Sequence, residues 1–167
     1  MTVCPTFMIG AWDSRPSSGC IILLCYGRRV MFHPLGGKNF VAAGDVARGI
    51  VAVLKRGHNG ERYLLSGENR TYAEFYRLLA ARTGCRQHLV RIPVRVLLAA
   101  GAVGDLLARL GVRSEISRTN MRILCIGNYY TNAKSVRELG VLYRPLSEAV
   151  DEAVEWFRSR GMLPGDR

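Results

Sequence analysis

The stretch CPTFMIGAWDSRPSSG, residues 4–19, decides how this chain is read. Its first half is apolar and β-rich and ends in Gly10, the pattern of a buried strand running out into a loop. The loop Ala11 to Pro16 follows. Ser17 or Ser18 can then cap a helix whose apolar residues Ile21, Ile22, Leu24 and Cys25 precede a stop at Gly27.

Outward from that stretch, strand and helix signals keep alternating. Val30-Met31-Phe32 reads as a short strand before the turn HPLGGK, and Asn39-Phe40-Val41 as another extended segment. Asp45 opens a helix in which Val46, Ile50, Val53 and Leu54 recur at helical spacing, with a stop near Gly57. Glu61 to Leu65 is a strand, and Ser66 to Asn69 a turn. Thr71 and Glu74 then form a T-x-x-E capping box, opening a helix that ends at Gly84. An apolar helix is expected from Pro93 to about Leu110 and a second near Ile116 to Cys125. A short helix over Ser135 to Leu139 follows Thr131 or Asn132 as cap and ends at Gly140. The last helix begins at Pro145. Its residues Leu146, Ala149, Val150, Ala153, Val154 and Phe157 keep one apolar face before Gly161.

The 167 residues suffice for one core, and 49% hydrophobic against 22% charged residues is the balance of a globular chain. The net charge of +11 raises the question of an anionic partner, but the arginines are spread from Arg15 to Arg167 with no run longer than Arg28-Arg29. Scattered surface charge is therefore expected rather than a nucleic-acid stripe. Cys4, Cys20, Cys25, Cys85 and Cys125 make no C-x-x-C, and His33, His58 and His88 complete no zinc spacing. Reduced, mostly buried thiols in a cytoplasmic protein and no metal site are expected. The longest apolar stretch, Val96 to Val103, falls far short of the ~20 residues of a membrane span, so no membrane partner is expected. The start lacks a basic region followed by an apolar one and predicts no secretory signal.

Four blocks carry a resemblance. CPTFMIGAWDSRPSSG resembles the strand and loop that follow the catalytic helix in dihydroflavonol-reductase-like and sugar-epimerase-like extended short-chain dehydrogenases, the NAD(P)-dependent epimerase/dehydratase family. The similarity continues in the family's order through GGKNFVAAGDVARGI, GERYLLSGENRTYAEF and NAKSVRELG with RPLSEAVDEAVEWF. Cys85 to Cys125 matches only in being apolar and helical. The resemblance implies an α/β fold: the carboxyl-terminal portion of a Rossmann-type doubly wound fold with a mainly helical substrate-binding lobe. Residues 1–167 are then a single unit, the last strands of the sheet plus that lobe, with the amino-terminal dinucleotide-binding part absent.

In that family the cofactor's phosphates rest on a G-x-x-G-x-x-G turn between strand and helix. Here only Gly57-x-x-Gly60 and Gly101-x-x-Gly104 approach it, each without a third glycine. By the resemblance, the family's catalytic tyrosine and lysine are expected on a helix upstream of Met1, so no catalytic residue is assigned. One literal Y-x-x-x-K occurs, Tyr130 to Lys134, but the cap residues Thr131 and Asn132 place Tyr130 before its helix.

The resemblance assigns cofactor-facing roles to Pro5, Thr6 and Phe7, beside the nicotinamide, and to Ser17 and Ser18, toward the phosphate and ribose side. Cys4 stands where the family often has asparagine, and Ala11 where it often has proline, so the local hydrogen bonding is expected to differ. An ordinary buried strand accounts for the first set and helix capping for the second. Lys38 aligns with a basic, substrate-binding position, usually arginine, that helps hold a diphosphate in nucleotide-sugar epimerases. A lysine there supplies a point charge without bidentate geometry, or is simply solvated. Asp45 reads as a helix cap.

The reading is thus the substrate-binding part of an NAD(P)-dependent reductase or epimerase acting on a small molecule by hydride transfer at a carbonyl or alcohol carbon. The chain alone is expected to be inactive and not to bind NAD or NADP. Self-association through an exposed opening strand is also expected. The alternative is a non-catalytic basic module that binds an anionic ligand or nucleic acid.

Overall fold

The computed structural model describes residues 1–110 and 116–164. The opening apolar run forms two strands, β1 (Thr2–Pro5) and β2 (Phe7–Ile9), divided at Thr6. β1 lies parallel to β5 (Arg62–Leu65) and β2 parallel to β4 (Gly37–Ala42), so the chain passes from one strand pair to the next at that division. Of the expected buried strand only Ile9 is buried, while Pro5 and Met8 are exposed. Among the described residues β1 has a partner on one edge alone, which leaves its other edge open.

The central strand is β4. It pairs antiparallel with β6 (Glu68–Thr71) on one edge, and on the other takes β2 over Phe40–Ala42 and β8 (Gly127–Asn128) over Gly37–Lys38, both parallel. β6 occupies what the sequence marks as a turn: its backbone groups are satisfied by the β4 ladder, although its own residues are polar. A separate parallel pair joins β3 (Val30–His33) to β7 (His88–Arg91), a strand without a signal of its own.

Alternation along β4 separates two apolar layers. Phe40 and Ala42 join a cluster with Phe75, Tyr76 and Leu79 of α3 (Tyr72–Thr83) and with the apolar face of α7 (Leu146–Ser159). Val41 points to the other face, against Val46 of α2 (Ala43–Arg56) and Leu65. A strand covered by helices on both faces needs apolar residues at consecutive positions, which Phe40-Val41-Ala42 supplies. All six residues of the expected α7 stripe are buried.

α2 starts two residues before Asp45, so Asp45 lies in its first turn and does not cap it. Its buried face is Asp45, Val46, Gly49, Ala52 and Val53, whereas Ile50 and Leu54 of the expected stripe are exposed. Gly49 sets this rotation: a Cβ there would stand 2.6 Å from Leu65 Cδ1, so the helix can sit down on β5 only at a glycine. α1 (Cys20–Cys25) is closed by Tyr26 in extended conformation, and Gly27 follows with φ 71. Neither Ser17 nor Ser18 caps it. Gly19 is the cap residue, and the Asp13 carboxylate accepts from the Ser17 amide at 3.1 Å and the Gly19 amide at 2.9 Å.

The capping box forms as expected. Thr71 Oγ1 accepts from the Glu74 amide at 3.2 Å, and the Glu74 carboxylate accepts from the Thr71 amide at 2.7 Å. These bonds hold the Glu74 carboxyl below its usual range. Thr71→Ala is expected to cost about 1 kcal/mol of unfolding free energy in urea titration; a neutral substitution would show that the cap contributes nothing to α3.

α4 (Val94–Arg109) and α5 (Arg118–Leu124) pack as a pair, and α6 (Ala133–Leu139) follows, ended by Gly140 in the left-handed region. Among the described residues no helix is long and apolar enough to cross a membrane, and no group of three or more His, Cys, Asp or Glu could hold a metal ion. All five cysteines are free. Only Cys25 is buried, which pushes its thiol up to about 12; the other four are partly exposed, against the expectation of mostly buried thiols.

Candidate functional site

The break at Thr6 turns the start of β2 toward β4, where Lys38 and Asn39 precede Phe40. Thr6, Phe7, Lys38 and Asn39 line a cavity of about 270 Å³, closed by Ile123, Asn128 and Tyr130. The Lys38 ammonium lies 4.1 Å from the centre of the Phe7 ring, within cation–π range. Burial lowers its pKa from the ordinary lysine value, because removing water disfavours the charged form.

Asn39 is buried, and its amide is engaged at both ends. Its Oδ1 accepts from Thr6 Oγ1 at 2.7 Å and from the Gly67 amide at 2.9 Å, while its Nδ2 donates to Asn69 Oδ1 at 2.7 Å and to the Gly67 carbonyl at 3.2 Å. Asn69 in turn holds the backbone of Tyr130, accepting from its amide and donating to its carbonyl, each at 3.0 Å. This network ties three distant segments around the cavity and leaves no buried amide group of Asn39 unpaired.

The fourth wall depends on two glycines. The Gly36 amide donates to the Leu124 carbonyl at 3.2 Å and the Gly37 amide to the Ile126 carbonyl at 3.4 Å. A Cβ at Gly36 would stand 2.4 Å from the Leu124 carbonyl oxygen, and one at Gly37 would stand 2.5 Å from the Tyr129 hydroxyl oxygen. The end of α5 can therefore approach β4 closely enough to bring Ile123 and Asn128 over Lys38.

Of the residues singled out in the sequence, Thr6, Phe7 and Lys38 are brought together. Pro5 ends β1 beside them but does not line the cavity. Ser17 and Ser18 belong to the loop before α1, where Asp13 takes the Ser17 amide. Asn39, Asn69 and Asn128 carry no motif that sequence reading could have used, and Tyr130 lines the cavity without the Lys134 of its Y-x-x-x-K spacing.

Tyr130 and Lys134 do not form a pair. Tyr130 precedes α6, its backbone held by Asn69, and the Lys134 ammonium is engaged by Glu61 beside the Tyr63 ring. Among the described residues the cavity lining holds one cation, amide and hydroxyl groups and an aromatic face, with no carboxylate, imidazole or thiol. Such a lining suits an anionic or hydroxyl-bearing small molecule better than proton transfer between an acid and a base.

No protein-family model matches the chain. It is 33% identical over 164 residues to "Sterol demethylase protein B" of Methylococcus capsulatus, covering 95% of this chain and 50% of that protein. It is 30% identical over 165 residues to a dihydroflavonol 4-reductase-like protein of Synechocystis sp., covering 95% and 48%. The crystal structure of a nucleoside-diphosphate-sugar epimerase from Pseudomonas aeruginosa matches with a TM-score of 0.71 at 26% identity, over 96% of this chain and 48% of that one. The chain thus spans about half the length of the curated relatives it matches.

Proposed function

We propose that this chain, whose homologues and structural neighbours are NAD-dependent epimerase/dehydratase and dihydroflavonol-reductase-like proteins, is the carboxyl-terminal substrate-binding part of an NAD(P)-dependent reductase or epimerase. The observation that carries this reading is the Lys38 ammonium over the Phe7 ring, in a cavity walled by Asn39, Asn128 and Tyr130. A partly desolvated cation beside an aromatic face attracts an anionic oxygen more strongly than a hydrated lysine does. The ligand is a small molecule with an anionic group, such as a nucleoside-diphosphate sugar, its phosphate on Lys38 and its hydroxyls toward Asn128.

The residues of this chain do not fit the cofactor's pyrophosphate. Its amides at the start of α1 are occupied by the Asp13 carboxylate, and the sequence has no glycine-rich turn between a strand and a helix. Pro5, Thr6 and Phe7 are left to border the nicotinamide, and Ser17 and Ser18 to offer hydroxyls rather than amides. Hydride transfer at a carbonyl or alcohol carbon is the chemistry of the whole enzyme, and the chain alone is inactive. The open edge of β1 supports a further element of the reading, association of chains by strand pairing.

Calorimetric titration tests both halves. NADH and NADPH are expected to show no saturable binding to this chain; a low-micromolar dissociation constant that is lost on Tyr130→Phe or Lys134→Ala would overturn the inactivity. A uridine-diphosphate sugar is expected to bind, and Lys38→Ala to weaken it about tenfold, the usual loss of one charge-assisted contact. Unchanged affinity in that variant would remove Lys38 from the site.

A further inference from the structure

α4 has two apolar faces, and α5 covers one of them. On that face Leu97 is buried, and the approach is so close that a Cβ at Gly101 would stand 2.6 Å from Arg118 Cα in α5, and one at Gly104 1.8 Å from the carbonyl oxygen of Ile116 just before α5. The other face carries Val96, Ala99, Val103, Leu106 and Leu110, whose spacing of three and four residues aligns them in one stripe. Val96, Val103, Leu106 and Leu110 are each more than half exposed, and Leu107 beside them is 40% exposed.

Charge indicates what covers this stripe. Arg118 and Arg122, both exposed, reach from α5 to line a groove of about 400 Å³ with Leu98, Ala99 and Ala102, so two arginines border the amino-terminal half of the stripe. Arg95 falls on the same border by its position on α4. Among the described residues no ion pair engages Arg91, Arg95, Arg118 or Arg122. Residues 86–122 hold seven arginines against two acids. A second copy laid on this face would bring like-charged borders together, whereas an anionic lipid surface offers phosphates to the arginines and an acyl boundary to the stripe. With 16 residues, α4 is shorter than a spanning helix, so it would lie in the plane of the surface.

We propose that the α4–α5 pair is a peripheral docking surface for an anionic phospholipid bilayer. The stripe from Val96 to Leu110 enters the headgroup–acyl boundary, and Arg95, Arg118 and Arg122 hold lipid phosphates. The expectation of no membrane partner rested on the length of the longest apolar stretch, which excludes a span and leaves an interfacial helix untouched.

Vesicle flotation of the whole 167-residue chain tests this. At about 0.1 M salt, where surface charges still act over roughly 10 Å, the protein is expected to float with phosphatidylcholine vesicles containing phosphatidylglycerol and not with phosphatidylcholine alone. Val103→Ser with Leu106→Ser should weaken binding at least about tenfold, through lost apolar insertion. Arg118→Ala with Arg122→Ala should weaken it roughly 30-fold, through two lost lipid contacts. Both changes are at exposed positions, and unchanged thermal melts by circular dichroism would show that the variants fold. Absence of wild-type binding would overturn the proposal. So would a Ser variant that binds like the wild type, which would reduce the effect to bulk charge. A dimer seen by light scattering and lost in the Ser variant would assign the stripe to a second copy instead and also overturn it.

Discussion

Replacing Phe157 by alanine is expected to lower the unfolding free energy by about 3–5 kcal/mol, the range for truncating a buried aromatic core residue. Phe157 is fully buried at the end of the α7 stripe and packs edge-on against Trp156 at 5.2 Å. It also reaches the loop before α1: a Cβ at Gly19 would stand 2.5 Å from Phe157 Cζ, so the ring joins the last helix to the first. The truncation would leave a cavity between α7, which is held against β4, and the start of α1. Guanidinium denaturation followed by far-ultraviolet circular dichroism measures it. A loss smaller than that of Thr71→Ala would mean that α7 is not docked as described.

Asp45→Ala is expected to cost about 3 kcal/mol, at the lower end for removing one partner of a buried ion pair because Arg144 keeps some contact with solvent. The Asp45 carboxylate is fully buried. It accepts from the Arg144 backbone amide at 2.7 Å and from Arg144 Nε at 3.0 Å, and it is also engaged by Arg48. Glu152, which accepts from Arg144 Nη1 at 2.5 Å, and then Asp45 raise the Arg144 pKa above its ordinary value. The carboxylate therefore fixes the turn before α7 to the start of α2, across 99 residues of sequence. A double-mutant cycle with Arg144→Ala should show a coupling of about 1–3 kcal/mol, as for residues in one buried network. Additive losses would show that Asp45 acts through the start of α2 alone.

The two positions differ in how far the sequence announces them. Phe157 is legible because its neighbours in the stripe lie three and four residues away, within the same helix. Asp45 looks like a cap because an acid near a helix start usually is one, and its true partner enters from the far end of the chain. Lys38, Thr6 and Phe7 could be nominated by resemblance, but their meeting in one cavity depends on the register Phe7 to Phe40 between β2 and β4. Asn39 and Asn69 remained silent, since a hydrogen-bonded amide leaves no periodic mark. The apolar character of α4 was legible, but not its open face, because spacing shows that a helix is apolar and not which side is covered.

By itself the sequence determined the helices with strong periodicity, the T-x-x-E cap, the glycine stops and the order of blocks that identifies the relatives. These features act within a turn or two of chain, through backbone amides, φ angles and side chains three or four residues apart. The tertiary structure alone decided that 68–71 is a strand and not a turn, that Gly49 faces β5, that Asp13 rather than a serine takes the amides before α1, and that Asp45 belongs to Arg144. Each of these depends on a partner that no local pattern supplies. The free energy of a strand edge, a buried carboxylate or a helix face is set by what the folded chain brings against it.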